Sequence, residues 1–366
     1  MRRNNTFTAA FRNLCTGLLI AGVVLPAHAQ VAPRLPASVV ESASTGSAEL
    51  DAIDSYLAAL REDALDGDGA DAAAARAALV EPLRENRPSV SFRQAYARAA
   101  ADLIEELLET DDPAARLAGL RMAGNLGTGE SARIITEALR DPNDGFRVFA
   151  AVQARRVFEV SSQHGPALTD SQSSGLADAV ADTLAETRDR VATEAYIRAL
   201  GTAAQSRPRE MAGCRALAAT RLGQAMSGRV RSVNAEQLLD MRDPIIIAAS
   251  SLTRTLSDPS TDVPGDAVRN GAAFGGDVLA RLLTRELDGT NDATIGEDVR
   301  LLRAAESLVY FARQRQAGNG ASIPQTNLAG LLETGSRDFR RELVALIGPG
   351  SAMLGEFGFA DDRFIK

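Results

Sequence analysis

Residues 111–127 read Asp-Asp-Pro-Ala-Ala-Arg-Leu-Ala-Gly-Leu-Arg-Met-Ala-Gly-Asn-Leu-Gly, and a second Asp-Pro pair follows 29 positions after the first, at residues 141–142. Aspartate before proline favours a helix start, because proline's fixed φ suits the first turn and the carboxylate accepts hydrogen bonds from free amides. Between the two pairs the sequence predicts one helix to Leu126, a turn over residues 127–129 and a second helix to Leu139. A helix pair that returns after about 30 residues predicts a stacked helical repeat.

The same signals recur along the chain. Asp243-Pro244 precedes an apolar run over residues 245–247, and Asp258-Pro259 is a further candidate for a helix start. An aspartate followed within four residues by an arginine, with small or apolar residues one turn later, also repeats. In a helix the aspartate favours the start, the arginine pairs with it one turn away, and alanines allow two helices to approach closely. These marks begin at Asp112, Asp144, Asp266, Asp298 and Asp338.

In these residues the chain resembles the HEAT-repeat superfamily, most closely the short bacterial HEAT-like repeats that are also found in phycobilisome lyases. The clearest match is residues 111–127, followed by Asp141–Val157, and a looser echo covers residues 183–201. In the C-terminal half the resemblance is fragmentary. The resemblance implies an all-α fold, an α-α superhelix or HEAT-like solenoid of divergent helical hairpins that cover one another's apolar faces.

The first 29 residues have the three parts of a cleavable signal peptide. These parts are a basic start with three arginines, an apolar run over residues 14–25, and an Ala-His-Ala sequence that ends at Ala29. The apolar run is shorter than the roughly 20 residues that a membrane-spanning helix needs. We therefore expect cleavage after Ala29, export to the periplasm or the extracellular space, and no stable membrane insertion afterwards.

Four further segments follow the signal peptide. Residues 30–46 lack periodicity and predict a flexible leader, and residues 47–109 predict an N-terminal helical cap that opens at Ser47. Residues 110–347 would hold the divergent HEAT-like repeats. We expect residues 348–366, a C-terminal tail or cap, to fold back over the end of the repeats, with a docking peptide for a partner as the alternative.

Two local predictions concern the N-terminal cap. Ser91 with Gln94 has the pattern of a capping box, which would open a helix that continues to Glu109. The acidic, glycine-rich stretch Asp66–Asp71 should break the preceding helix, and its carboxylates are the kind of ligand that calcium prefers. The EF-hand pattern fails there, because Ala75 stands where the bidentate acid belongs. A solvated turn is the preferred interpretation, and weak divalent binding stays open.

Charge and cysteine content restrict the partners and the chemistry. The signal peptide carries three arginines and no acidic residue, so its removal changes the formal charge from −8 to −11. An acidic chain predicts cationic partners and argues against nucleic acid or an anionic membrane surface. Cys214 is the only cysteine of the mature chain, and its apolar neighbours predict a buried thiol. Lys366 is the only lysine, which we attribute to genomic base composition.

Most catalytic constellations lack their residues in this chain. His164 is the only histidine after processing, and it lies in a polar stretch, residues 161–165, that predicts a surface loop. Multi-histidine zinc sites and a serine hydrolase triad are therefore not expected. Phosphate-loop and Schiff-base chemistry would need a lysine before the last position. We predict no catalytic, cofactor-binding or metal-binding residue and no cofactor.

The preferred hypothesis is an exported, HEAT-repeat-like scaffold without catalytic activity, which binds a protein or peptide. Candidate contact residues would be charged side chains of the second helices, such as Arg133 and Glu137, but a solvated helix face is the preferred interpretation of them and we do not assign them as site residues. One alternative is an enzyme or enzyme accessory that uses surface carboxylates. The other alternative is a structural cell-envelope component, which would self-associate.

Overall fold

The fold is built from helices that pack side by side, with successive helical hairpins stacked in the order of the chain. The computed structural model describes residues 33–67, 69–84, 87–287, 295–318 and 321–365. Within these ranges the backbone forms helices and turns and no β-strand. The signal peptide predicted over residues 1–29 lies outside the described residues. Residues 34–366 belong to one unit, and the description below concerns that unit.

Three groups of helices follow one another along the described chain. The first group is α1 (Ala37–Val40), α2 (Ser47–Asp66), α3 (Gly69–Val80), α4 (Val90–Ala99) and α5 (Ala101–Glu109). The second group is α6 (Pro113–Leu126), α7 (Gly129–Ala138), α8 (Asp144–His164), α9 (Asp170–Glu186), α10 (Arg190–Ala204), α11 (Ala212–Ser232), α12 (Ala235–Asp240), α13 (Arg242–Ser257), α14 (Gly265–Leu287) and α15 (Ile295–Ala317). The third group is α16 (Leu328–Glu333), α17 (Asp338–Ile347) and α18 (Ala352–Phe357). Short 3-10 turns lie at Glu81–Leu83 and Arg209–Met211.

The second group forms two layers of stacked helices. In one layer α6 packs on α8, α8 on α10, α10 on α13, and α13 on α15. In the other layer α7 packs on α9, α9 on α11, and α11 on α14. Because helices that neighbour each other within a layer are not consecutive in the chain, each hairpin covers the apolar face of the next. The predicted all-α, solenoid-like architecture of helical hairpins is thus confirmed.

Glycines mark the closest contacts within these layers. A Cβ atom built on Gly201 of α10 would lie 2.6 Å from the Ser251 hydroxyl of α13. A Cβ atom on Gly223 of α11 would lie 2.9 Å from the backbone carbonyl carbon of Asn270 in α14. A residue without a side chain is thus needed where the Ser251 side chain or the α14 backbone comes this close. Small residues therefore set the spacing between successive hairpins.

Arginines have a second repeated role, which is to hold the C-terminal ends of neighbouring helices. The last carbonyls of a helix lack intrahelical partners and carry a partial negative charge, so a guanidinium satisfies both needs. Its planar group can reach two carbonyls at once, which an ammonium does less well. The carbonyls held in this way include Ala64 by Arg76, Leu108 by Arg116, Leu184 and Thr187 by Arg229, Val230 and Arg231 by Arg281, and Leu256 and Asp258 by Arg315.

The Asp-Pro signal predicts one helix start correctly and fails at others. Asp112 caps α6, with its carboxylate accepting from the Ala114 amide at 2.9 Å. Asp141-Pro142 does not open α8, because Asn143 is the cap. Asp141 instead binds Arg116 of the preceding hairpin at 2.6 Å. The other oxygen of the Asp141 carboxylate accepts from the Asn143 amide at 2.8 Å, so Asp141 holds the turn before the cap.

The other two Asp-Pro pairs also differ from the prediction. Asp258 ends α13 rather than opening a helix, and its carboxylate accepts hydrogen bonds from Ser260 and Thr261. α13 begins at Arg242, so Asp243 lies inside the first turn instead of capping it. There it binds Arg190, which begins α10 in the neighbouring hairpin.

The N-terminal cap departs from the prediction at α4. Ser89 is the cap in place of Ser91, and its hydroxyl accepts from the Phe92 amide at 3.0 Å. The predicted single helix to Glu109 is broken at Ala100 into α4 and α5. Both pieces pack on α6. The break therefore lets a short amphipathic stretch follow the surface of the first repeat helix.

Residues 34–46, expected as part of a flexible leader, contain the short helix α1 and bury Val40 completely. The carbonyl of Val40 accepts from the Ser89 amide at 3.0 Å, so the segment is tied to the start of α4. Leu35, Val39 and Val40 belong to the buried apolar core, and their burial fixes the segment although three side chains are too few for a periodic pattern. The predicted break after α2 is present between Asp66 and Gly69, and Asp68 lies outside the described residues.

Candidate functional site

An open cleft of about 810 Å³ lies where three parts of the chain meet at one end of the helices. One wall is formed by α4 and the start of α5. The other walls are the turn between α6 and α7 and the loop between α8 and α9. Its volume lies within the range of about 300–1,000 Å³ that is usual for ligand sites. The lining residues are Gln94, Ala97, Arg98, Ala101, Thr128, Gly129, Glu130, Pro166, Ala167, Leu168, Thr169 and Gln172.

Two helices begin at this cleft, and their first residues are fixed by hydrogen bonds. Thr128 caps α7, and Thr169 caps α9 in a capping box with Gln172. The backbones of Thr128 and Ala167 are joined as an isolated parallel bridge, which links the turn of one hairpin to the loop of the next. The free amides at both helix starts give this wall a partial positive charge.

Arg93 holds the cleft from beneath. Its side chain is fully buried, with Nη1 donating to the Leu126 carbonyl at 3.1 Å and Nη2 to the carbonyls of His164 and Gly165. These carbonyls end α6 and α8, immediately before the two segments that form the cleft. Burial lowers the pKa of Arg93 to about 10, so the guanidinium stays charged at neutral pH. One cation therefore fixes both segments through their helix dipoles.

Arg98 is the lining residue of the cleft that carries a positive charge. Arg98 is exposed on the α4 wall, one turn after Gln94, and makes no ion pair with any described residue. The acidic lining residue Glu130 is already bound to Arg133. A free guanidinium beside an amide and two helix starts can hold a carboxylate, while Ala97 and Leu168 supply apolar contact.

The predicted contact residues Arg133 and Glu137 come together in the structure, but they bind each other. Arg133 lies 2.8 Å from Glu137, 2.5 Å from Glu130 and 3.2 Å from Glu105, and its side chain is 46% exposed. The network is a solvated face of α7 next to the cleft, in which one guanidinium is shared by three carboxylates. The residues of the cleft itself were missed by the sequence analysis. The sequence carries no signal for Arg93, because an arginine beside the apolar face of a helix is ordinarily exposed.

Two candidate reactive side chains are held in unreactive surroundings. His164 is the last residue of α8 rather than part of a loop, and burial, with Arg93, Arg156 and Arg87 nearby, lowers its pKa. The imidazole is thus neutral at pH 7. Cys214 is fully buried, as predicted, and burial raises the pKa of its thiol to about 12. A protonated, enclosed thiol is not a nucleophile.

In the described part of the chain, no three histidine, cysteine or acidic residues lie close enough to hold a metal ion. The loop Asp66–Asp71 is only partly described. No helix of the described ranges is long and apolar enough to span a membrane. Comparison of the chain with known protein families and with curated proteins returns no match.

Proposed function

We propose that this protein is an exported, non-catalytic scaffold of divergent HEAT-like hairpins, which binds a protein or peptide at the cleft beside Arg98. The cleft carries the proposal. It is concave, its walls come from three successive parts of the helical array, and Arg93 fixes two of them from below. A site whose backbone is already held in place loses little entropy when a ligand binds.

The charges of the cleft indicate which part of a partner would enter it. The Arg98 guanidinium has no ion pair among the described residues, whereas Glu130 shares Arg133 with Glu105 and Glu137. The cleft therefore favours a segment that presents a carboxylate next to apolar side chains, although the chain as a whole is acidic. Cationic parts of the same partner would contact the acidic surface around the cleft.

Charge reversal tests the binding site. The full chain, purified as wild type and as the variants R98E and R254E, is used to capture partners from envelope material, with identification by mass spectrometry. Arg254 is exposed on α13 and has no ion pair among the described residues, so R254E is the matched control. We expect a partner that wild type and R254E retain and R98E loses. A partner retained equally by R98E contradicts the cleft as the site, and the absence of any specific partner contradicts the scaffold.

Export and the lack of catalysis are tested separately. N-terminal sequencing of the protein from its native cells should begin at Gln30, and an intact leader on protein inside the cell would contradict export. A measured turnover that disappears on replacement of an acidic residue, with folding intact, would favour the enzymatic alternative. Assemblies that grow with concentration in light scattering would favour the structural alternative.

A further inference from the structure

A second site lies on α11 and α14, under the C-terminal segment of the chain. Asp277 of α14 is buried, with its side chain only 3% exposed. Its Oδ2 atom accepts from the Ser227 hydroxyl of α11 at 2.6 Å and from Nη2 of Arg363 at 2.9 Å. Arg231 is more distant, at 3.8 Å. A buried carboxylate that the helical body satisfies only in part is thus completed by an arginine from the tail.

The residue after this arginine fits a recess in α14. A Cβ atom built on Gly276 would lie 2.5 Å from Cζ of Phe364 and 2.9 Å from Cε of Met353. The missing side chain of Gly276 therefore creates the space that the aromatic ring occupies. Phe359 meets the edge of the Phe364 ring at a centroid distance of 5.5 Å and receives Arg269 on its face.

The covering segment is held less firmly than the groove beneath it. Residues 359–365 form no helix, and Arg363, Phe364 and Ile365 are each only partly buried. The described backbone hydrogen bonds of this segment are local, from Phe359 to Leu354 and from Arg363 to Ala360. Segments with few backbone bonds and partial burial open at low free-energy cost. Asp277 and Gly276, in contrast, belong to the interior of a long helix.

We propose that this groove, defined by Ser227, Gly276 and Asp277, is a second peptide-binding site that recognises an arginine followed by an aromatic residue. The chain's own Arg363-Phe364 occupies it and competes with an external segment of the same chemistry. The charge argument is direct, because the helical body gives Asp277 one close neutral donor, Ser227, and a more distant cation, Arg231 at 3.8 Å, and a guanidinium adds a charge-assisted hydrogen bond. The site shares no residue with the Arg98 cleft and does not depend on the function proposed for it.

Competition by the tethered segment sets the expected size of the effect. A tethered ligand acts at an effective concentration on the order of millimolar, so the wild type should bind an external peptide weakly. Loss of the contacts made by Arg363 and Phe364 leaves the groove open. The apparent Kd for the external peptide then falls to the Kd of the open groove, because no part of the protein is closed by its own tail. We expect the full chain with R363Q/F364A to bind at least about 10-fold tighter than wild type.

Fluorescence anisotropy with a labelled free peptide, Phe-Ala-Asp-Asp-Arg-Phe-Ile, tests this. The receptors are the full-length wild type, the variant R363Q/F364A and the control variant R340A. Arg340 is an exposed arginine of α17 and has no ion pair among the described residues. Peptides with glutamine for the arginine, or alanine for the second phenylalanine, should bind at least about 10-fold more weakly to R363Q/F364A. Adding D277N should abolish the preference for arginine over glutamine.

Equal binding by wild type and R363Q/F364A, or a D277N variant that keeps the arginine preference, overturns the proposal. Circular dichroism establishes that each variant is folded. If R363Q/F364A does not fold, the single variant R363Q replaces it and should also bind the peptide more tightly than wild type. Unchanged binding by R363Q overturns the proposal equally. A wild-type dimer that R363Q/F364A abolishes would assign the groove to a second copy of this chain and overturn the external partner.

Discussion

Two buried arginine sites, one in each half of the chain, differ in what holds the guanidinium. Arg93 belongs to α4 and donates to backbone carbonyls at the ends of α6 and α8, and it is fully buried. Arg363 belongs to a non-helical segment and donates to a side chain, Asp277, with 18% of its own side chain exposed. Separating Arg93 from its partners requires helices to move, whereas Arg363 needs only its short segment to lift. The first site is part of the architecture, and the second can open.

The largest expected effect is at Arg93. R93A leaves the carbonyls of Leu126 and Gly165 without their donor, so we expect a loss of about 3 kcal/mol or more in the free energy of unfolding. R93K keeps the charge but cannot reach both helix ends, and it should recover less than half of the loss. Chemical denaturation measures both. An R93K variant as stable as wild type would show that the planar fork is unnecessary.

The second test asks how rigid the α11–α14 contact beneath Asp277 is. G223A places a Cβ atom 2.9 Å from the Asn270 backbone, so the helices must separate, and we expect a loss of about 1–3 kcal/mol. Gly228 lies in the same helix with open space around its Cβ position. G228A should therefore stabilise by about 0.5–1 kcal/mol through helix propensity. Thermal denaturation compares the two, and the same sign for both variants would contradict close packing at Gly223.

The third test uses pH to examine the Asp277 site. Burial raises the pKa of Asp277 above its unfolded value of about 3.9, against the opposing effects of Ser227, Arg363 and Arg231. The folded state thus holds this proton more tightly than the unfolded state. The stability of wild type relative to D277N should be highest below the unfolded pKa and should fall as the pH rises through the folded pKa. Unfolding free energies from pH 3 to 7 measure this difference, and a rise with pH would contradict it.

The smallest effect is expected at Arg133, an arginine site of a third kind. Its partners are exposed carboxylates in water, where ion pairs contribute little. R133A should change the free energy of unfolding by less than about 1 kcal/mol. The difference between wild type and R133A should be smaller still in high salt, because salt screens exposed ion pairs. Denaturation in low and high salt measures it. A loss of stability in R133A as large as that in R93A would contradict the expectation that the exposed Arg133 contributes less than the buried Arg93.

Local signals predicted the helices well and their partners poorly. Gly127 adopts φ of 60°, as a turn after Leu126 requires, and Asp112 caps the helix that the Asp-Pro pattern assigned to it. The identical pattern failed at Asp141, where Asn143 caps the helix instead and the Asp141 carboxylate binds Arg116 of the preceding hairpin. The cleft beside Arg98 was not predicted at all. Its walls meet only after the hairpins have stacked, and no sequence spacing records that meeting.

The amino-acid sequence alone determined that the chain is helical and where many of its turns lie, because caps, left-handed glycines and apolar stripes act within a few residues. The tertiary structure decided which distant polar groups are buried together. Arg93 and Gly165 are 72 positions apart, and Asp277 and Arg363 are 86 positions apart. The physical reason is that each buried polar group must find a partner at the place where stacking puts it. That place depends on the spacing of all the helices between, to which glycine contacts such as that of Gly223 contribute.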